Sequence, residues 1–396
     1  MLGNLSLVAL LVCACAASSI EESRSKLSTH DRIRADGYPA QYFDLITDDG
    51  YILQVNRIPR GKNDFFDFRK RPVVFLQHGL QSSANAFLGI GVDTSLAYNL
   101  ADRGFDVWIG NARGVENSRR HVLWDPDSDV TKRHFWDFTF EEIALIDLPR
   151  MIDFALAHTR QDKLHYVGHS QGGTVFLILN SRKPEYNDKF ISAHLLAGVG
   201  YQNHFPNWIL TQASARVDEI RALTYLLGIV EILGPSKDRK SNLEVTLATS
   251  AVAEIETNNA LADLISLIKR AMDEFSRAKA GIGGAAIKQY AHYGQNIRDK
   301  KFRSFDHGIL GNLARYGSTT PPEYDIKKIT VDLTMHYTLG DVLLSEADVL
   351  EMANDIPNCK ARRVARSDFS HTDFVLARDS KELVYDYLID DLIRRK

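Results

Sequence analysis

Hydrophobic positions along the chain fall into short strand-like runs separated by helical stretches. Tyr42–Thr47 and Tyr51–Ile58 flank Asp48-Asp49-Gly50, a pattern that predicts a β-hairpin. Pro72–Gln77 is a continuous apolar run ending at His78-Gly79, and Phe105–Gly110 is a second; both read as buried strands. Ser95–Asp102 between them reads as helix. Thr139-Phe140-Glu141-Glu142 is a capping box that opens another helix, continued after Pro149 by Arg150–His158, where Met151, Phe154 and Ala155 share a face. Leu164–Val167 is a short strand running into Gly168-His169-Ser170-Gln171-Gly172, followed by helical Thr174–Asn180 and a strand at Phe190–Ala197. Strands that alternate with helices predict a mostly parallel sheet covered by helices on both faces.

The rhythm then breaks. The next strand-like run is Ile329–Tyr337, which contains Asp332 and His336. About 130 residues intervene where a parallel crossover needs only a dozen or so, so roughly 100 must build something additional. Val217–Leu233 is apolar and stops at Gly234-Pro235, and Leu261, Leu264, Ile265, Ile268, Met272 and Phe275 lie on one helical stripe. These features predict an inserted helical cap over the C-terminal edge of the sheet. Beyond Ile329–Tyr337 the chain predicts an edge strand at Arg363–Arg366 and a terminal helix at Glu382–Arg394.

Composition narrows the function classes. Hydrophobic residues make up 44% and charged residues 25%, and the net charge is -3. This is globular composition without a basic stripe, so nucleic acid is not an expected partner. Leu2–Ala17 is uncharged, apolar and ends in small residues before Glu21, which predicts a signal peptide spanning residues 1–17 and a secreted mature chain. Two of the three cysteines, Cys13 and Cys15, lie in that segment; Cys359 remains, in an expected polar loop, as a free thiol.

The Gly168–Gly172 pentapeptide has the Gly-x-Ser-x-Gly form of a nucleophile elbow, between an apolar strand and a helical run. A serine hydroxyl is a weak nucleophile and needs a base. In the chain order serine, acid, histidine, two histidines fall late enough. His336 sits inside a strand; His371, in Ser370-His371-Thr372-Asp373-Phe374, sits in a loop after the final strand and is the better base. Asp341 follows Tyr337 directly, at the strand's C-terminal end, whereas Asp332 is mid-strand and Asp348 and Asp355 lie in or after the next helix. Asp341 is therefore the candidate to hold the imidazole tautomer. The backbone N–H of Gln171 and that of Leu80, in the loop His78-Gly79-Leu80, are the candidate oxyanion donors; His78 itself is expected to shape that loop.

Other patterns fail on context. Gly281-Ile282-Gly283-Gly284-Ala285-Ala286 follows a charged helix rather than a strand, so it is not read as a dinucleotide site. Asp125-Pro126-Asp127-Ser128-Asp129 begins like a calcium loop, but Val130 and Trp136 replace the required Gly and Glu. No metal and no cofactor are expected.

Several stretches together resemble the gastric/lysosomal acid lipases, a family of α/β-hydrolases: Asp49–Leu53, Leu76–Leu80, Asp106–Gly114, Phe135-Trp136, Asp147-Leu148-Pro149, His165–Gly172, Gly317–Asp325 and His371-x-Asp373-Phe374. The resemblance covers nearly all of the chain after residue 17. It implies an α/β-hydrolase fold, with core segments 18–197 and 313–396 and a helical cap or lid at 198–312. It also implies a triad of Ser170, Asp341 and His371, an oxyanion pair at Leu80 and Gln171, and cofactor-free hydrolysis of acyl esters of glycerol or sterols by an extracellular or lysosomal enzyme, with transient contact to a lipid interface through the cap. A small-ester esterase or acyltransferase using the same triad, or a non-catalytic lipid carrier, are the competing readings. The chain departs from the family in lacking the cap cysteines and in carrying Gly198, in Leu196-Ala197-Gly198-Val199, where relatives usually have proline. The cap matches least well.

Overall fold

A computed structural model of the chain describes residues 27–64, 70–232 and 284–395, together with Asp263, Ser266, Leu267 and Arg270. The signal segment 1–17, the Leu261–Phe275 stripe, the Gly234-Pro235 stop and Gly281-Ile282-Gly283 lie outside the described residues.

The strands follow the predicted order, and most ends agree within a residue or two. The hairpin is β1 (Gln41–Ile46) and β2 (Ile52–Ile58); β3 (Val73–Gln77), β4 (Asp106–Gly110), β5 (Leu164–His169) and β6 (Phe190–Leu196) follow. Two-residue β7 (Glu231–Ile232) and β8 (Ala285–Ala286) pair only with each other, and β9 (Leu333–Tyr337) and β10 (Cys359–Arg363) return to the main sheet. That sheet has eight strands in the order β1-β2-β4-β3-β5-β6-β9-β10. β1, β2 and β4 pair antiparallel; every pairing from β4 to β10 is parallel. Every residue of β3, β4 and β5 is buried, as unbroken apolar runs covered on both faces should be. The described helices are α1 (Thr29–Ala35), α2 (Leu96–Asp102), α3 (Leu148–Thr159), α4 (Gln171–Arg182), α5 (Trp208–Ala215), α6 (Val217–Leu226), α7 (Ile287–Asp299), α8 (Gly308–Tyr316), α9 (Glu346–Asp355) and α10 (Asp386–Arg394), with a few shorter turns. The expected capping box at Thr139 and Glu142 is present, and a π-helical turn at Ile143–Asp147 leads from it into α3.

The strand expected from Ile329 begins at Leu333, and the helix expected from Glu382 opens with a π-helical turn at Lys381–Tyr385; two further elements differ more. The last strand is Cys359–Arg363 rather than Arg363–Arg366. Its partly buried Cys359 and Ala361 pack against the core between charged neighbours, the charge being what an edge strand carries to discourage further pairing. Cys359 therefore opens a strand instead of sitting in a polar loop, and burial pushes its thiol pKa up to about 12, so it is an inert thiol. The Val217–Leu233 run is not one helix. α6 ends at Leu226, Gly228 adopts φ +70°, and the chain turns into β7.

A buried ion cluster ties the hairpin turn to the sheet's C-terminal rim. The Arg113 guanidinium, after β4, donates through Nε and Nη2 to Asp147 Oδ1 at 2.9 and 2.6 Å, and through Nη1 to Asp49 Oδ2 at 2.6 Å. It also lies 4.0 Å from the centre of the Tyr51 ring. Both Arg113 and Asp147 are buried. Removing one partner strands the other charge in a dry site, so Arg113→Ala is expected to cost about 3–5 kcal/mol of folding stability. Urea unfolding measures this, and a loss under ~1 kcal/mol would show that the cluster is not a structural joint.

Candidate active site

The strand register sets the stage. Gln77 of β3 is level with Gly168 of β5, so the loops leaving both strands emerge side by side. Ser170 follows β5, Asp341 follows β9 and His371 follows β10, all on the C-terminal rim, where open parallel sheets place their ligand sites.

Ser170 occupies a tight turn between β5 and α4, with φ 53° and ψ -116°, a conformation that few non-glycine residues adopt. The turn is closed by the Ser170 N–H donating to Leu196 O at 2.9 Å and by the Gly173 N–H donating to Ser170 O at 2.8 Å. Close packing accounts for the flanking glycines. A Cβ on Gly172 would lie 2.2 Å from Gln77 O, and one on Gly173 would lie 2.4 Å from Gly198 Cα. Gly198, where proline is usual, therefore backs directly onto the elbow.

Three of the side chains singled out from the sequence meet. His371 Nε2 lies 2.7 Å from Ser170 Oγ, and His371 Nδ1 lies 2.7 Å from Asp341 Oδ2. Asp341 and His371 are buried while Ser170 is only partly so. The other Asp341 oxygen, Oδ1, accepts the Leu343 and Leu344 N–H groups at 2.7 and 3.1 Å, which fixes the carboxylate plane. The loop that carries His371 is braced from both sides. The Ser370 N–H donates to Asp373 at 2.8 Å, and the Thr338 hydroxyl, beside Asp341, donates to Phe369 O at 2.7 Å. His336 is not part of the group. It lies in β9 with its Nε2 2.9 Å from His194 Nδ1, in the core.

The His78–Leu80 loop crosses over the elbow, since a Cβ on Gly79 would sit 2.8 Å from Ser170 Cβ. His78 holds the loop's shape: its Nδ1 donates to Gly79 O at 2.8 Å, and its Nε2 accepts the Ala112 N–H at 3.1 Å. In a planar trans peptide the Leu80 N–H points opposite to that carbonyl, away from His78. Gln171 is the first residue of α4, and the amides of a helix's first turn have no partner within the helix. Sequence reasoning missed His169, whose Nε2 lies 2.9 Å from the backbone oxygen of His371; nothing in the pattern of residues signals that contact.

Burial keeps several imidazoles neutral, with pKa values pulled down to about 4 for His78 and to about 3 for His169 and His292. In the unfolded chain each titrates near ~6.5. As pH falls through the window from there to the folded values, the unfolded chain takes up protons that the folded chain refuses. Stability must therefore decline with acidification, by up to ~1.4 kcal/mol per pH unit for each such group. His292→Gln should flatten the slope between pH 6 and 5 by about one proton's worth, read from urea unfolding at both values. An unchanged slope would mean that the imidazole titrates in the folded chain too.

Comparison with known proteins bears on fold and family. Residues 29–90 match the partial alpha/beta-hydrolase lipase region, and residues 72–218 match the alpha/beta hydrolase fold. Lipase 3 of Drosophila melanogaster is 33% identical over 368 residues, covering 91% of this chain and 92% of its own. Gastric triacylglycerol lipase of Rattus norvegicus is 34% identical over 361 residues (89% and 88%), and that of Homo sapiens is 32% identical over 360 residues (89% and 87%). A solved lipase candidate from Sulfolobus solfataricus aligns at TM-score 0.50 with 14% identity, covering 90% of this chain and 94% of its own, a likeness of fold alone.

Proposed function

Because the chain belongs to the acid lipase family that includes the gastric triacylglycerol lipases, we propose that Ser170, His371 and Asp341 are its catalytic triad and that acyl esters of glycerol or sterols are its substrates. The chain is a carboxylic ester hydrolase of the lipase type. The observation that carries the triad reading is the unbroken relay from Asp341 through His371 to Ser170, with both links at 2.7 Å.

His371 Nε2 takes the Ser170 proton as Oγ attacks the ester carbonyl. The Leu80 and Gln171 N–H groups hold the oxyanion that develops. His371 then gives the proton to the departing alcohol, leaving an acyl-enzyme. Water enters, His371 takes its proton, the hydroxide equivalent displaces the fatty acid, and His371 returns the proton to Ser170 Oγ as the acyl–oxygen bond breaks. Asp341 keeps Nδ1 protonated and stabilises the imidazolium formed in each half-reaction. The mature enzyme is secreted after removal of residues 1–17, and segment 198–312 forms the cap that shapes the acyl pocket and meets the lipid surface. Among the described residues no helix is long and apolar enough to cross a membrane.

Labelling with a fluorophosphonate, followed by mass spectrometry of the Ser170 peptide, tests the reading. A covalent adduct on Ser170 is expected, together with faster turnover of long-chain glycerides or sterol esters than of short-chain esters. No adduct would favour a lipid carrier. Turnover confined to short esters would favour an esterase, and transfer to an added alcohol in preference to water would favour an acyltransferase.

A further inference from the structure

The residue preceding the nucleophile makes a contact that the triad chemistry does not require. We propose that His169 is a positioning residue: its Nε2–H grips the backbone carbonyl of His371 and so holds the base in register with the serine. The proposal rests on the triad reading above.

The hydrogen-bond chemistry fixes the tautomer. Nε2 lies 2.9 Å from the His371 oxygen, and a carbonyl can only accept, so the proton sits on Nε2. The ring is 4% exposed, and its Nδ1 has no hydrogen-bond partner among the described residues. A second proton there would be buried without an acceptor, and burial holds the pKa down to about 3, so the ring remains a single-proton donor at pH values well above that. The same ring is wedged under the candidate oxyanion loop, because a Cβ on Gly79 would lie 3.3 Å from His169 Nδ1. His371 thus sits on a loop tied to the acid side through Thr338 and Phe369 O, and to the nucleophile side through His169 and its own carbonyl. The elbow, the base loop and the candidate oxyanion loop converge on one buried imidazole.

Without the strut the His371 backbone is free to drift from Ser170, and a displacement of about 1 Å costs roughly 100-fold in rate. The strut needs a donor where Nε2 stands. The Gln side-chain nitrogen reaches about that far from Cβ; the Asn nitrogen stops near the Nδ1 position. His169→Ala and His169→Asn should therefore lower kcat on a p-nitrophenyl ester by ~10–100-fold while KM stays within about twofold, and His169→Gln should return kcat to within about threefold of wild type. Fluorophosphonate labelling, in which the Ser170 Oγ–P bond forms as fluoride leaves and His371 takes the serine proton, should slow in the same order. Thermal unfolding checks that each variant is folded, and the Gln–Asn pair decides the matter even if the Ala variant does not fold. Wild-type kcat and labelling in the Ala or Asn variant, equal impairment of Gln and Asn, or an effect confined to KM would overturn the proposal while leaving the triad intact. A wild-type enzyme that fails to label removes the triad reading and this proposal with it.

Discussion

Ser170→Ala is expected to lower kcat by about 10⁵–10⁶-fold, with little change in thermal stability. The size follows from what the substitution removes. Ser170 Oγ is the atom of the group that forms the acyl-enzyme, and without it His371 Nε2, 2.7 Å away, has no positioned nucleophile to activate among the described residues. What survives is substrate binding and, in the proposed oxyanion site, the Leu80 and Gln171 amides, a remainder worth roughly 10³–10⁴ over water in serine hydrolases generally. The small stability effect follows from the turn itself. Its closing hydrogen bonds run through the backbone, from the Ser170 N–H to Leu196 O and from the Gly173 N–H to Ser170 O, and alanine keeps both. The strained φ of 53° is enforced by packing at Gly172 and Gly173, not by the hydroxyl. The measurements are steady-state hydrolysis of a chromogenic ester and loss of fluorophosphonate labelling. Wild-type turnover by the Ala variant would be fatal to the assignment.

The sequence made the active-site scaffold legible where the physics is local. Pro72–Gln77 and Leu164–Val167 are unbroken apolar runs, and such runs have little choice but a two-sided buried sheet. A serine between glycines at the end of one of them leaves only a tight turn, and Asp341 and His371 stand where consecutive strands end. The edge strand was harder. In Cys359–Arg363 the apolar content is a cysteine and an alanine, and the charges that protect the edge hide the alternation that marks a strand. The break after Leu226 was hidden for another reason. Apolar residues continue through Ile229, Val230 and Ile232, and one glycine with φ +70° turns them into a different element. Contacts to backbone atoms are the least legible of all. His169 meets a carbonyl 202 positions away, and any residue could supply that carbonyl, so no residue type advertises it. Arg113 belongs to the same class of omission. It lies in the Asp106–Gly114 motif, yet its partners Asp49 and Asp147 lie on separate elements and gather only once the chain has folded.

Asp341→Asn is the subtler test and is expected to cost about 10⁴-fold in kcat. Asparagine nearly matches aspartate in shape, so geometry survives and only the hydrogen-bond logic changes. Oδ1 of Asp341 accepts two backbone N–H groups, from Leu343 and Leu344, and only an oxygen can do that. The amide of the variant must therefore turn its oxygen toward those groups and its NH₂ toward His371 Nδ1. A donor facing Nδ1 forces that nitrogen to give up its proton and accept. The imidazole proton then moves to Nε2, where it points at Ser170 Oγ and leaves no lone pair to take the serine's proton. The imidazolium of each half-reaction also loses its counter-charge. Stability should barely change, because Leu343, Leu344 and His371 all keep a partner. Raising pH should not restore activity, since the defect is the wrong tautomer and not excess protonation. Near-wild-type turnover in this variant, measured beside its unfolding temperature, would show that Asp341 orients a turn and does not govern His371.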